Sequence, residues 1–298
     1  MRKHDFLLLL NLLKNNAGWE FNETQYFIID KKISNFIREK NYNSVEDLIT
    51  DLKNGNKQIA AQVVEALSFS DTSFFRDYDV FYKFENNILP KLKEKCRAAK
   101  KLNIWSLGCS TGQEAYSIAM SVDKNSKIFA DWDIRILASD MSSLAISKAQ
   151  HGVYSNFEVQ TGLNAKMIID YFSQTGDDWI ISDKIKKMVE FRKYNLLDEA
   201  IVKSKFEVIF CRNVLRYFTA DLQDIILKRI SDKQPQGGFL LLGKGENIPA
   251  IEKYYYKIDN NGTYVAIGNS KTDTSSGNLA VSTVDGNVLP SFVKPKGL

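Results

Sequence analysis

Residues 104–122, IWSLGCSTGQEAYSIAMSV, are the stretch that decides the fold. The pattern predicts a short apolar strand at 104–107, a turn at 108–112 and a helix at 114–122. Glycines in such a turn let the backbone bend sharply and approach a ligand closely. The first amides of the helix then face that ligand. Taken alone, the same residues are also compatible with a tight turn that binds nothing.

The alternation of strand and helix continues along the chain. Further strands are predicted at 134–138, 206–211 and 238–242, with helices at 143–150 and 221–232. The segment FEVIFC at 206–211 is almost entirely apolar, as expected of a strand that is buried on both faces. This alternation predicts an α/β fold with a mostly parallel sheet covered by helices.

The beginning and end of the chain do not follow this alternation of strands and helices. Residues 1–75 read as a small all-helical N-terminal domain, followed by an α/β domain at 76–268. A small β insertion is predicted within 155–193, where short β-like pieces interrupt the alternation. Residues 269–298 are rich in Ser, Thr, Gly, Asn and Asp. Such a composition offers little apolar surface to offset ordering entropy and predicts a flexible tail.

Composition excludes several classes of function. The 298 residues carry a net charge of +4, which is too mild to indicate nucleic-acid binding. Three cysteines without metal-ligand spacing and only two histidines argue against a zinc site and a histidine-based triad. The few cysteines and the lack of a secretory pattern predict a cytoplasmic protein. The apolar run near the first residue is too short to span a bilayer.

Two further polar motifs follow predicted strands. Asp140 lies at the carboxyl end of a strand, where an acid can accept hydrogen bonds from both ribose hydroxyls of a nucleoside. It could equally cap the next helix. Arg212, Asn213 and Tyr217 follow FEVIFC, at the edge where open α/β sheets bind ligands. As alternatives, the first two are ordinary loop residues and Tyr217 is a core aromatic.

The segment TSFFRD at 72–77 is the last motif. Two adjacent aromatics followed by Arg76 indicate a packed hinge that fixes a guanidinium, although a capped helix start with a surface arginine explains the residues as well. Neither GxGxxG nor GK[ST] is present, so the glycine turn does not predict dinucleotide or phosphate binding.

Together these segments resemble the CheR family, the S-adenosylmethionine-dependent chemoreceptor glutamate methyltransferases. The resemblance runs in order from roughly 17 to 267 through TSFFRD, GCSTGQEAYSIAM, ILASDMSSLAISKAQHGVYS, the NLL at 195–197 and FEVIFCRNVLRYF. It implies a Rossmann-like methyltransferase domain preceded by a small helical domain. It also implies S-adenosylmethionine as cofactor, with S-adenosylhomocysteine as product.

Carried onto this sequence, the resemblance implies ten residues around the cofactor: Thr72, Arg76, Gly108, Glu114, Asp140, Asn195, Leu196, Arg212, Asn213 and Tyr217. Glu114 is expected to hold the methionine amino group and Asp140 the ribose. Asn195 and Leu196 are expected to line the adenine pocket. Arg76 and Tyr217 are the expected catalytic residues, and no metal site is expected.

The expected partners are the cytoplasmic domains of chemoreceptors, bound by a monomer that neither inserts into a membrane nor binds nucleic acid. Two departures from the family motifs stand out: Gln113 replaces an acid, and 243–246 reads GKGE instead of GHSE. They motivate an alternative, a non-catalytic relative that binds the cofactor or only a receptor. A nucleotide-dependent oxidoreductase and a small-molecule methyltransferase are further alternatives.

Overall fold

The structure, a computed structural model, describes residues 1–21, 23–67, 71–198, 204–260, 262–268, 280–284 and 287–291. Its helices are α1 (Lys3–Ala17), α2 (Tyr26–Glu39), α3 (Val45–Lys53), α4 (Lys57–Leu67), α5 (Tyr78–Lys83), α6 (Leu89–Lys95), α7 (Gln113–Lys124), α8 (Ser143–His151), α9 (Asn156–Gln160), α10 (Ala165–Tyr171), α11 (Asp183–Lys186) and α12 (Ala220–Ser231). Its strands are β1 (Lys101–Leu107), β2 (Asp133–Asp140), β3 (Val153–Ser155), β4 (Phe172–Thr175), β5 (Asp178–Ile181), β6 (Val189–Lys193), β7 (Val208–Phe210), β8 (Phe239–Leu241), β9 (Tyr255–Lys257), β10 (Thr263–Ala266), β11 (Ala280–Val284) and β12 (Asn287–Ser291).

The main sheet has the strand order β6-β2-β1-β7-β8-β10-β9. Its first four ladders are parallel, whereas β10 is antiparallel to both β8 and β9. The chain leaves β1 for β2 on one side and later returns to β7 on the other side. Such a reversal of strand order leaves a ligand-binding crevice at the carboxyl ends of the strands. The predicted mostly parallel α/β fold is confirmed.

Both faces of this sheet are covered. Ile104 of β1 and Phe210 of β7 belong to one buried apolar cluster, and their neighbours Trp105 and Ile209 belong to the other. Successive side chains of a strand point to opposite faces, so each strand contributes to both clusters. This burial explains why the central strands read as almost continuous apolar runs.

Helices α1 to α4 pack on the face of the sheet that carries Trp105 and Ile209. Within α1, Phe6, Leu9 and Leu13 are buried. Helix α3 begins after Ser44, whose hydroxyl accepts a hydrogen bond from the amide of Asp47 at 3.2 Å, as an N-cap does. These helices share one apolar cluster with the sheet. The division of the chain at residue 75 stays a prediction.

A small antiparallel sheet lies between α8 and β6 in the chain, with the order β3-β5-β4. It spans 153–181, whereas the insertion was predicted within 155–193; the strand at 189–193 pairs with β2 in the main sheet instead. Phe74 packs edge-on against Tyr154 and Phe172, with ring centroids 5.1 Å and 5.5 Å away. The TSFFRD segment is therefore anchored to the small sheet.

Near the end of the chain, β11 pairs with β12 in an antiparallel hairpin. The rest of the predicted flexible tail, at 269–279, 285–286 and 292–298, lies outside the described residues. Across the described part of the chain, no helix combines the length and apolarity needed to cross a bilayer.

Gly162, in the turn between α9 and α10, lies very close to the TSFFRD segment. Its φ is +96°, and a Cβ there would lie 1.8 Å from the carbonyl oxygen of Phe74. Gly176 has a φ of +61° but open space around it. We expect Gly176→Ala to cost about 1–2 kcal/mol of unfolding free energy from backbone strain alone. Gly162→Ala adds overpacking and is expected to cost about 2–5 kcal/mol.

Urea denaturation of the two glycine variants measures this difference. An equal loss of stability in both would show that the contact between Gly162 and Phe74 does not constrain the fold.

Candidate functional site

A cleft opens at the carboxyl ends of β1, β2 and β7, where the strand order reverses. The space within the cleft is about 920 Å³ when the open solvent at its mouth is included. It is lined by all ten residues predicted from the sequence, namely Thr72, Arg76, Gly108, Glu114, Asp140, Asn195, Leu196, Arg212, Asn213 and Tyr217. The fold thus brings five separate segments of the chain to one place.

The glycine turn after β1 forms one wall. The amides of Gly108 and Cys109 both donate to the carbonyl of Ser139, at 2.8 Å and 2.9 Å. Gly108 has a φ of +76°, and a Cβ there would lie 2.4 Å from Val214 Cγ2. Only glycine therefore lets this turn pass so close to the loop after β7. Ser110 Oγ is buried and has no hydrogen-bond partner among the described residues.

Asp140 ends β2 and faces the same turn. Its Oδ2 accepts a hydrogen bond from the amide of Ser110 and its Oδ1 accepts one from the amide of Ser142, both at 2.9 Å. Helix α8 is capped by the Ser142 hydroxyl, which accepts from the amide of Ala145, so Asp140 is not the helix cap. Burial raises the pKa of Asp140, while the backbone hydrogen bonds act in the opposite direction.

Arg212 joins three segments at the floor of the cleft. Its side chain is only 1% exposed. One guanidinium nitrogen donates to Glu114 Oε2 at 3.1 Å, and the other donates to Asp77 Oδ2 at 2.6 Å and to the carbonyl of Arg76 at 2.7 Å. The guanidinium also lies over the ring of Phe81, 5.7 Å from its centroid.

Glu114 is the buried partner of this cation. Its second carboxylate oxygen accepts a hydrogen bond from Ser106 Oγ at 2.8 Å. Burial raises the pKa of Glu114, and the neighbouring Arg212 charge lowers it. Glu114 and Asp77 together place two carboxylates around one guanidinium, and the charge of Arg76 also lowers the pKa of Glu114.

The backbone of the TSFFRD segment adopts the left-handed conformation at two residues. Phe75 and Asp77 have φ values of 47° and 56°, a region that costs non-glycine residues energy and that clusters at functional sites. The amide of Phe75 donates to the buried Ser117 hydroxyl at 2.9 Å. Arg76 between them turns into the cleft and donates to the carbonyl and carboxylate of Asp71, at 2.5 Å and 3.1 Å.

The loop after β7 is held in place by Glu246. Asn213 has a φ of 61°, and its amide donates to Glu246 Oε2 at 2.8 Å. The same oxygen accepts from the amide of Gly243 at 2.6 Å. A Cβ on Gly243 would lie 2.7 Å from Asn213 Nδ2. In the GKGE segment, the first glycine and the glutamate are therefore the residues that the loop contacts.

Gln113 also has a defined environment. It is buried, and its side chain accepts from Thr111 Oγ1 at 2.7 Å and donates to Glu158 Oε1 at 3.3 Å. An acid at this position would face the carboxylate of Glu158 and could not donate to it. The amide thus adds a hydrogen bond to a carboxylate that Lys148 and Ser155 also contact.

The remaining predicted residues lie along the rim. Asn195 Oδ1 accepts from the amide of Leu197 at 3.0 Å, and the carbonyl of Leu196 accepts from Arg229 at 3.0 Å. The ring of Tyr217 stacks on Trp19 with 5.7 Å between centroids. Thr72 lies beside them in the wall of the cleft.

Sequence reasoning missed Trp19, Asp77 and Glu246 as residues of the site. Asp77 closes the TSFFRD motif, and its position directly after a hinge arginine was a usable signal. Glu246 stands in the GKGE segment, which the sequence analysis singled out only because it departs from GHSE. Trp19 gave no signal, because its contacts are made about two hundred residues further along the chain. No cluster of three or more metal-ligating side chains occurs within the described residues.

The burial of Arg212 generates a stability prediction. Arg212→Met leaves the Glu114 carboxylate buried without its cation, so we expect a loss of about 3–5 kcal/mol of unfolding free energy. Arg135 pairs with Asp133 on the surface, and Arg135→Ala is expected to cost at most about 1 kcal/mol. Chemical denaturation at pH 7 compares the two. If Arg212→Met costs no more than Arg135→Ala, the buried ion pair is not what holds the segments together.

Comparison with known proteins agrees with this geometry. Residues 70–264 match the sequence model of a family described as CheR methyltransferase, SAM binding domain. The chain is 30% identical over 258 residues to chemotaxis protein methyltransferase 1 of Pseudomonas aeruginosa, covering 85% of this chain and 94% of that protein. It is 31% identical over 255 residues to the chemotaxis protein methyltransferase of Borreliella burgdorferi, covering 83% and 89% respectively.

A third relative, the chemotaxis protein methyltransferase of Listeria monocytogenes, is 29% identical over 264 residues, which is 88% of this chain and 97% of the relative. The matched family domain contains all ten residues that the sequence predicted for the cleft. The chain therefore belongs to the CheR family of methyltransferases, and S-adenosylmethionine is its cofactor.

Proposed function

We propose that this chain is a protein-glutamate O-methyltransferase that methylates glutamate side chains in the cytoplasmic domains of chemoreceptors. One observation carries the proposal: ten residues from five separate segments line a single cleft at the switch point of the sheet. The relatives named as chemotaxis protein methyltransferases support the assignment to chemotaxis. We further propose that the protein acts as a cytoplasmic monomer.

The chemistry of the cleft suits S-adenosylmethionine. Asp140 offers carboxylate oxygens to ribose hydroxyls, and the buried Ser110 hydroxyl beside it still lacks a partner among the described residues. Asn195 and Leu196 offer a wall for adenine. Glu114 would hold the positively charged amino group at the methionine end, because its carboxylate lines the cleft.

When bound, S-adenosylmethionine supplies a methyl group activated by a positively charged sulfur. A glutamate side chain, with an ordinary pKa of about 4.3, is already ionised at neutral pH. The chain therefore needs no general base, and none of the described residues that line the cleft is a histidine. What remains for the protein is to orient the carboxylate, which contributes roughly 7–11 kcal/mol when alignment is good.

We propose that Arg76 steers that carboxylate. Its two-pronged guanidinium matches a carboxylate, and its present partner Asp71 is 79% exposed. Such an exposed ion pair is worth about 1 kcal/mol or less, so Arg76 can exchange Asp71 for a substrate glutamate. Tyr217, at the same rim, would orient the carboxylate or the cofactor.

Arg76→Ala tests this role. We expect methyl transfer to fall by about 10²-fold, because a charge-assisted hydrogen bond is worth about 1.5–3 kcal/mol. Affinity for S-adenosylhomocysteine should fall much less. Label transfer to chemoreceptor fragments and calorimetric titration give the two numbers, with Asp71→Asn as the control that removes only the resting partner. Equal losses of transfer and affinity would assign Arg76 to cofactor binding alone.

The pH dependence of cofactor affinity tests whether Asp140 belongs to the cofactor pocket. A carboxylate accepts more hydrogen bonds from hydroxyls than a protonated carboxyl does. Because burial raises the pKa of Asp140, affinity for S-adenosylhomocysteine should weaken as the pH falls toward that raised value, above the usual pKa of about 3.9. Asp140→Asn should bind about ten-fold more weakly at pH 7 and lose this part of the pH dependence.

Calorimetric titration of wild type and Asp140→Asn between pH 5 and pH 8 provides the measurement. Identical affinities in the two proteins at pH 7 would remove Asp140 from the pocket. Tight binding without methyl transfer to any chemoreceptor would instead favour a non-catalytic signalling relative.

A further inference from the structure

Residues 18–21, which follow α1, lie along the loop that carries Tyr217. Trp19 and Phe218 form an antiparallel β-bridge. The amide of Glu20 donates to the carbonyl of Tyr217 at 2.8 Å, and the amide of Thr219 donates to the carbonyl of Gly18 at 3.2 Å. The backbone on both sides of Tyr217 is therefore tied to the N-terminal segment.

The Trp19 side chain completes this contact. Its ring stacks on Tyr217 with an interplanar angle of 15° and meets Phe218 at 60°, with centroids 5.7 Å and 5.2 Å away. Trp19 is 7% exposed and lines the cleft. The Arg216 guanidinium lies over the Tyr217 ring at 5.3 Å. Tyr217 thus contacts both a buried indole and a cation.

We propose that Trp19 is a positioning residue for methyl transfer, acting through the ring and backbone of Tyr217. The inference rests on the proposed function, in which Tyr217 orients the reacting groups. Since the loop 215–219 has only a short 3₁₀ turn of its own, the added bridge and the stacked ring fix where Tyr217 points. Stacked aromatic rings stabilise each other beyond the area that they bury, and this stacking favours one rotamer of Tyr217.

Trp19 lies outside the matched family domain, which begins at residue 70. The catalytic machinery of this chain therefore extends into its N-terminal helical part. A version of the chain that begins at residue 70 would retain the ten predicted residues but lose the support of Tyr217.

The test compares Trp19→Phe with Trp19→Leu in the full chain. Both replacements are apolar, but only phenylalanine preserves an aromatic stack. We expect Trp19→Phe to keep kcat within about three-fold and Trp19→Leu to lose about ten-fold or more, since small misplacements near the reacting atoms cost up to about 10²-fold. The KM for the chemoreceptor fragment and the Kd for S-adenosylhomocysteine should change little. Trp132→Leu, a half-buried tryptophan away from the cleft, is the control.

Two results of this comparison would overturn the proposal. One is an unchanged kcat in Trp19→Leu. The other is a matching loss of kcat and of S-adenosylhomocysteine affinity, which would make Trp19 a direct cofactor contact.

Hydrogen exchange separates this inference from the proposed function. We expect the amides of 215–220 to exchange faster in Trp19→Leu than in Trp19→Phe or Trp132→Leu, whatever substrate the enzyme uses. If wild type binds S-adenosylhomocysteine but methylates no chemoreceptor fragment, the proposed function fails, and exchange alone decides the role of Trp19. Unchanged exchange in Trp19→Leu shows that Trp19 does not hold the loop.

Discussion

The guanidinium of Arg212 is the constraint around which the cleft is organised. A buried cation is costly unless it is paired and hydrogen-bonded, and its partners here come from distant parts of the chain: Glu114 at the start of α7, and Asp77 with the Arg76 carbonyl in the TSFFRD segment. Satisfying this one charge brings the glycine turn, the hinge and the loop after β7 together.

Once these segments meet, the backbone around the cleft has to adopt unusual conformations. Phe75, Asp77, Ser110 and Asn213 all have positive φ values without being glycine. Nearby side chains accept hydrogen bonds from the amides of three of them: Ser117 from Phe75, Asp140 from Ser110 and Glu246 from Asn213. Strain of this kind persists only where surrounding structure determines it, and it commonly marks functional sites.

Much of this could be predicted from the sequence, because strand and helix periodicity and glycine turns are local signals. The parallel sheet follows from alternating segments, and its carboxyl edge collects the polar residues that follow each strand. The resemblance to a known family supplied the ten residues of the cleft, whereas local pattern alone left Asp140 undecided between ligand and helix cap.

Contacts between distant residues could not be predicted in this way. Nothing local indicates that Trp19 will stack on Tyr217. Gln113 departs from the family motif, and only the structure shows that its amide donates to Glu158. The close contact between Gly162 and Phe74 likewise depends on how the turn between α9 and α10 packs against the TSFFRD segment. Such pairs are set by the tertiary packing of the whole chain, which local periodicity does not encode.

The most direct test of the account is methyl transfer itself. The full chain is incubated with methyl-labelled S-adenosylmethionine and the cytoplasmic fragments of chemoreceptors, and the labelled protein is then treated with mild base. The account predicts label on the receptor fragment that mild base releases as methanol, as expected of a glutamate methyl ester. Label that resists base, or a folded protein that binds S-adenosylhomocysteine yet labels no receptor fragment, would contradict it.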